Sequence, residues 1–322
     1  MSNHMTPALS LWKESPARTA ITEFVNRVCK KGAPDFVRPS RRIAVFDNDG
    51  TLWCEQPYYF QGLFLFERVR LMAADHPEWA STQPFQAVLE SDWKTLAQHG
   101  NRGLFELAAA TLGSNTLEEY QHEVSAWLKT ARHPAFKRPY TECVFAPMLE
   151  LLTYLKANDF KVFIVSGGGV EFIRQFSEEV YGIPPERVIG SSLVTQYDAQ
   201  NGKPTLTRAA EINFIDDRDG KPVGIQQHIG LQPIAAFGNS DGDLEMMQWV
   251  MAGEGARLGC VLHHNDAERE FAYDRTSAAG KLDRALDEAE VRQLTIVSMK
   301  NDWKRVFQWE DEGNKELRQQ AE

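Results

Sequence analysis

The sequence has no positive charge to spare: 35 Lys and Arg stand against 45 Asp and Glu, for a formal charge of −10. A nucleic-acid binder normally carries a basic stripe, so no nucleic-acid partner is expected. No apolar run reaches the roughly eighteen residues that a membrane span needs, so no membrane partner is expected either. Residues 1–12 lack the long apolar stretch of a signal peptide. The expected compartment is therefore the cytoplasm for the chain as given, with the periplasm or secretion open if a leader has been lost. Cysteine is scarce. Cys29, Cys54, Cys143 and Cys260 show no C-x-x-C spacing, which excludes a zinc cluster or disulfide framework and leaves buried, idle thiols. No internal repeat is visible. What is there is ordinary for a globular protein: 322 residues, 43% hydrophobic and 25% charged, enough for one large or two modest domains.

The pattern of the chain predicts an α/β protein. Residues 17–30 space Ile21, Phe24, Val25 and Val28 as a helix does. Ile43 to Phe46 reads as a short buried strand. Helical signals then follow at 57–74, 85–98, 103–112 and 116–129, the last opened by Thr116 and Glu119 in a capping-box pattern. Beyond Tyr140 the elements alternate. Helices are predicted at 145–157, 170–181 and 243–251, and strands at 161–165, 188–192, 234–237 and 258–262. Residues 193–219 read as several short β-prone pieces, with turns at Asn201-Gly202 and Asp219-Gly220. Such alternation indicates a parallel sheet with helices on both faces. The expected architecture is a Rossmann-like, doubly wound parallel sheet over 1–55 and 136–300. An all-helical domain interrupts it at 56–135, and a charged helical extension follows at 301–322.

Four stretches place reactive groups where such a sheet binds ligands, just past the carboxyl ends of its strands. The first is Phe46-Asp47-Asn48-Asp49-Gly50-Thr51. Its alternate carboxylates suit a hard divalent cation, or an aspartate that carries a phosphoryl group. Asp, Asn and Gly also make plain turns, so this motif alone does not decide. A calcium loop is excluded, because positions six and twelve counted from Asp47 are Leu52 and Tyr58. The second stretch, Val165-Ser166-Gly167-Gly168-Gly169, offers a hydroxyl and backbone N–H groups to a phosphate. The third is Gly220-Lys221-Pro222, with Lys203 as its rival. The fourth, Phe237-Gly238-Asn239-Ser240-Asp241-Gly242-Asp243, again ends a strand in polar oxygen groups.

Taken in order, these stretches resemble the four motifs of the haloacid dehalogenase superfamily, in its phosphoserine phosphatase-like branch. D-x-D-G-T falls on 47–51, S-G-G on 166–168, the motif lysine on Lys221, and G-D-x-x-x-D on 238–243 with Asn239 in place of the first aspartate. The likeness covers about residues 40–265. It implies a phosphomonoester hydrolase that uses Mg2+ and an aspartyl-phosphate intermediate. By that resemblance Asp47 is the nucleophile and Asp49 the general acid–base. Thr51, Ser166, Lys221 and the Gly167 and Gly168 amides serve the phosphoryl group, and Asp47, Asp49, Asn239 and Asp243 hold the metal. Asn239 brings an oxygen without a charge, and Asp241 is the alternative acid. The inserted helices are implied to be a C1-type cap over the site.

Substrate contacts are expected near Glu55 and Gln56. In phosphoserine phosphatases an acidic residue close to this place meets the substrate amine; Gln56 occupies that register and Glu55 lies one position off it. The partner expected is a small phosphorylated metabolite, not specifically phosphoserine. Tyr58, Tyr59, Phe60 and Phe64 are expected in the core, and His263-His264 with Asp266 in a surface loop. Asp49 speaks against a dehalogenase. A phosphomutase or phosphotransferase of the same superfamily, or a phospho-ligand binding protein without turnover, remain alternative readings.

Overall fold

Ile43, Ala44, Val45 and Phe46 are all buried and form β1 (Ile43–Phe46), the strand around which the sheet is laid. The structure, a computed structural model, describes residues 9–112, 115–199 and 202–310. Helix α1 (Pro16–Cys29) precedes β1; the Ser15 side chain accepts from the Arg18 N–H and Pro16 sits at its start. After β1 come α2 (Phe60–Met72), α3 (Phe85–Glu90), α4 (Trp93–Leu112) and α5 (Leu117–Thr130). Helix α4 is kinked at Gly100, whose φ of 53° and ψ of −150° are not helical. The capping box of Thr116 and Glu119 opens α5.

The alternating part follows: α6 (Ala146–Ala157), β2 (Lys161–Gly169), α7 (Val170–Ile173), α8 (Ser177–Tyr181), β3 (Val188–Asp198), β4 (Thr205–Phe214), α9 (Gly220–Ile229), β5 (Ala235–Gly238), α10 (Leu244–Met251) and β6 (Leu258–Asn265). The described chain closes with β7 (Ala272–Tyr273), α11 (Arg284–Glu288), β8 (Thr295–Ser298) and α12 (Met299–Asp302). The sheet order is β4-β3-β2-β1-β5-β6-β7, with β8 also on β6. Strands β3, β2, β1, β5, β6 and β8 run parallel, while β4 and β7 are antiparallel additions. From β1 the chain builds outward through β2 and β3, then returns to build the other side through β5 and β6. Strand order therefore reverses at β1, and a ligand crevice is expected beyond its carboxyl end.

Alternate residues of β1 face opposite sides, as strand geometry requires. Ala44 and Phe46 join the apolar cluster with α1 and α6, while Ile43 and Val45 join the one with α9 and α10. The doubly wound parallel sheet expected from the sequence is thus what forms. Between β1 and Thr130 the described residues hold helices and no strand. These helices share the first cluster: Phe60, Phe64 and Trp127 pack with Trp53 and Phe172.

Several elements differ from expectation. Strand β2 continues through its glycines to Gly169, with a register shift against β3 between Ser166 and Gly169. The helix expected over 170–181 is two short helices, broken around Arg174–Phe176. The short β-prone pieces after Leu193 are one long hairpin of β3 and β4, paired from Ser192↔Phe214 to Asp198↔Thr205. Of the Asn201-Gly202 turn, Asn201 lies outside the described residues. The C-terminal part is not a helical extension. Just before it β8 joins the sheet, and its described residues 301–310 hold only the end of α12 before Trp303, Val306 and Phe307 are buried in the first cluster, because large apolar side chains gain more from burial than a solvated helix would give. Residues 311–322 lie outside the described residues.

Candidate active site

Parallel pairing sets Phe46 level with Ile164 and Phe237, so the residues that follow β1 and β5 emerge side by side with Ser166 near the end of β2. The Asp47 N–H still donates to Phe237 O at 2.9 Å, which carries the ladder one residue further. The Lys221 ammonium, projecting from the first turn of α9, sits among these strand ends. It donates to Asp47 Oδ1 at 2.6 Å, to Asp243 Oδ1 at 2.5 Å and to Val165 O at 2.9 Å. Burial opposes its charge, but Asp243 and Asp47 outweigh that and raise its pKa above the ordinary lysine value. Lys203, the sequence rival, is exposed and paired with Glu118.

Burial pushes the Asp47 carboxyl well above the usual range; Asp243 adds to the rise and Lys221 opposes it. Asp49 is also raised, chiefly by burial, although Trp53 donates to its Oδ1 at 2.8 Å. The second oxygen of Asp243 accepts from the Asn239 and Ser240 N–H groups, both at 3.0 Å. These bonds tie the loop after β5 to the same cluster.

A cavity of about 730 Å³ opens over it. Asp47, Asp49, Glu55, Ser166, Gly167, Gly168 and Lys221 line the sheet side, while Leu65, Leu104, Phe105 and Ala108 come from the inserted helices. Seven of the residues singled out from the sequence therefore meet in one place. Thr51, Asn239 and Asp243 stand behind that wall, and Thr51 Oγ1 donates to Asn239 Oδ1 at 3.0 Å. Gln56 is turned away, donating instead to Ser277 Oγ at 3.2 Å and Ala279 O at 3.1 Å. The substrate contact expected of Gln56 is thus corrected: Glu55 lines the cavity in its place. Asp241 is also occupied elsewhere, accepting from the Asp283 and Ala285 N–H groups at 2.9 and 3.0 Å.

Asn239 and Glu55 form a second buried pair. Asn239 Nδ2 donates to Glu55 Oε1 at 2.6 Å, and the Tyr273 hydroxyl donates to the same oxygen at 2.8 Å. Burial holds the Glu55 carboxyl well above its usual pKa, and the Tyr273 bond opposes this. Glycine is required beside this pair. Gly50 has φ +74°, and a Cβ there would strike Asn239 Nδ2 and Glu55 Oε1. Gly280, at φ +66°, backs onto Glu55 in the same way.

Among the described residues no three His, Cys, Asp or Glu side chains gather closely enough to hold a metal by themselves. The oxygens present still suit Mg2+. That ion is usually held by one or two carboxylates together with waters and substrate phosphate. Asp47 and Asp243 are carboxylates on either side of Lys221, and Asn239 has a neutral side-chain oxygen beside Thr51. The charge balance fits too. Asp47, Asp49, Glu55 and Asp243 crowd a site in which Lys221 is the cation at hand.

Other contributors escaped the sequence reading. His264 does not lie in a surface loop; it is buried within β6, where Nε2 meets Gly50 O at 2.7 Å and Nδ1 meets Glu270 Oε2 at 3.1 Å. The Cys54 thiol donates to the other Glu270 oxygen at 2.8 Å. Gln61, from α2, accepts from the Gly169 N–H at 2.6 Å and so fastens the inserted helices to β2. The Asp216 carboxyl is fully buried; neither oxygen has a hydrogen-bond partner by geometry, and burial pushes its pKa up to about 7. The aromatic segment behaves as expected at Tyr58, Phe60 and Phe64, which are core, whereas Tyr59 also lines the cavity.

The haloacid dehalogenase-like hydrolase family matches residues 44–248, a span that takes in all four motifs. No curated protein matches in sequence. Among solved structures, a conserved protein of unknown function from Anaerococcus prevotii superposes with a TM-score of 0.56 at 17% identity, over 87% of this chain and 91% of that one. A Bordetella pertussis protein, also of unknown function, gives 0.51 at 14% identity, over 80% and 98%. A phosphoserine phosphohydrolase-like protein from Francisella tularensis gives 0.39 at 14% identity, over 78% and 98%. The first two show a shared fold.

Proposed function

The chain belongs to the haloacid dehalogenase-like hydrolase family, and from that premise we propose that it is a Mg2+-dependent phosphomonoester hydrolase. Its substrate on this reading is a small phosphorylated metabolite, and its intermediate an aspartyl-phosphate. The observation that carries the reading is the buried Lys221 bridge between Asp47 and Asp243, set beside Ser166 at adjoining strand ends.

Lys221 holds Asp47 through Oδ1 and so aims Oδ2 at phosphorus. That oxygen attacks, and the bond from phosphorus to the alcohol oxygen breaks. Asp49, whose raised pKa favours its protonated form, gives its proton to the departing oxygen. Asp49 then takes a proton from water, the water oxygen attacks the aspartyl-phosphate, and phosphate leaves with Asp47 restored. Ser166 Oγ and the Gly167 and Gly168 amides bind the phosphoryl oxygens, and Thr51 steadies Asn239. Asp47, the Asp49 carbonyl and Asn239 would hold Mg2+, with Asp243 holding its waters. When bound, the cation supplies the positive charge that keeps Asp47 ionised and draws charge from the phosphoryl group. We take residues 56–135 as a cap whose helices exclude water from the cavity.

The test is phosphate release from an aryl phosphate with Mg2+, and with the metal chelated. Release should require the metal. Asp47→Asn should lower it at least about a thousandfold while the protein still melts cooperatively. Beryllium fluoride should give an adduct on Asp47. Asn239 favours a second reading, because the neutral side chain weakens the metal set: binding of a phospho-ligand without turnover. Absence of release with any divalent metal would support that reading instead. A phosphomutase or phosphotransferase would betray itself by a phosphorylated product.

A further inference from the structure

A second cavity, of about 480 Å³, adjoins the first and shares Gln61, Phe105, Ala108 and Gly169 with it. Three parts of the molecule wall it: the inserted helices, the start of α7, and the β3–β4 hairpin. The Arg208 guanidinium lies 4.0 Å over the Tyr120 ring at this wall. Its Nη1 is buried without a hydrogen-bond partner, and among the described residues no carboxylate pairs with it. The nearby acid, Glu171, is already taken by Arg174 at 2.6 Å. Ser192 and Thr195 bring hydroxyls to the same wall.

We propose that this cavity is a subsite for a second anionic group, a carboxylate or phosphate, carried on the alcohol portion of the substrate and bound by Arg208. The inference rests on the phosphatase reading and adds the substrate class to it. Arg208 is half-buried and leans on Tyr120, but one of its guanidinium nitrogens is shut away from water with no acceptor; that is costly, and the ring offsets only part of the cost. An anion that accepts a forked pair of hydrogen bonds completes it. The surrounding charge points the same way. In a chain of net charge −10, cations face two adjoining cavities: Lys221 in one and Arg208 in the other. Asp47, Asp49, Glu55 and Asp217 line the first cavity, whereas Glu171, which lines the second, is paired with Arg174, so a second anion is disfavoured in the first and directed past Gly169 into the next.

Non-hydrolysable probes test this without turnover. Titration calorimetry in Mg2+ buffer compares ω-carboxyalkylphosphonates of increasing chain length with alkylphosphonates of matched length. The wild-type protein should bind at least one carboxylate compound about tenfold or more tightly than its match. Arg208→Gln should bring that ratio close to one, and Arg208→Lys should leave it in between. No preference at any length in the wild type overturns the proposal. So does a preference that survives in a folded Arg208→Gln protein. If Arg208→Gln fails to fold, the wild-type and Arg208→Lys ratios decide. Failure of the phosphatase reading shows separately, as absence of phosphate release from an aryl phosphate with any divalent metal.

Discussion

Gly50 can carry no side chain because Asn239 and Glu55 already fill the space its Cβ would need. That one position shows how residue-scale demands interlock here: the amide that replaces an aspartate donates to a buried acid, and both need glycine beside them. Asp216 is the other costly residue. Its carboxyl is buried, with a pKa near 7 against an ordinary 3.8. The folded state therefore holds a proton that the unfolded chain releases above about pH 4. Stability from this group is full below that value and lost as pH rises toward about 7. Asp216→Asn keeps the shape and removes the titration. Relative to wild type, the variant should gain about 1–3 kcal/mol between pH 4 and pH 8, read from denaturant melts at each pH. An equal offset at every pH would exclude a buried titration at Asp216. The motif residues at 47–51, 166–168 and 238–243 were legible in the sequence because each stretch follows a recognisable strand, whereas Lys221 was legible only by its place among them. Asp216 was not, since nothing in its neighbours marks it as buried.

At the scale of elements, the loop between β1 and Trp53 is held from behind by β6. His264 Nε2 must donate to Gly50 O, because a carbonyl only accepts, and Glu270 faces the other ring nitrogen. Tyr273 stacks on the same imidazole at 4.4 Å. His264→Phe keeps the ring and removes the donor. It should cost about 1–3 kcal/mol for the unpaired buried carbonyl. Because Gly50 directly follows Asp49, kcat should fall about tenfold with KM little changed; a change in KM alone would argue against positioning through the loop. Local patterns predicted α1, α5 and α6 well, since caps and apolar spacing are written within each segment. Strand β2 ran past its predicted end because glycine is a poor strand former, and only pairing with β3 reveals that Gly169 continues the ladder. His264 was misplaced for a related reason: its partners Gly50 and Glu270 lie far away in the chain or beyond a turn.

The whole molecule is closed by its own last described residues. Trp303 packs edge-on against Trp12, and Phe307 meets Phe145, Phe136 and Trp309. The Ala146 N–H donates to Val306 O at 2.7 Å, which fastens this segment at the start of α6. Phe307→Ala should therefore cost about 3–5 kcal/mol, visible as an earlier denaturant midpoint with the slope retained. A loss below about 1 kcal/mol would mean that the segment is merely laid on the surface. The alternation of strands and helices made the doubly wound core readable. The sheet-joining role of β8 was not readable, because a four-residue strand amid charged sequence offers too little pattern.

The β3–β4 hairpin also grips the helices above the crevice: Thr207 bridges to Thr116, and the Arg208 N–H donates to Asn115 O at 3.0 Å. If these helices serve as a cap, they cannot lift alone: any opening must carry the hairpin along or break both of its links, and must also free Gln61 from the Gly169 N–H.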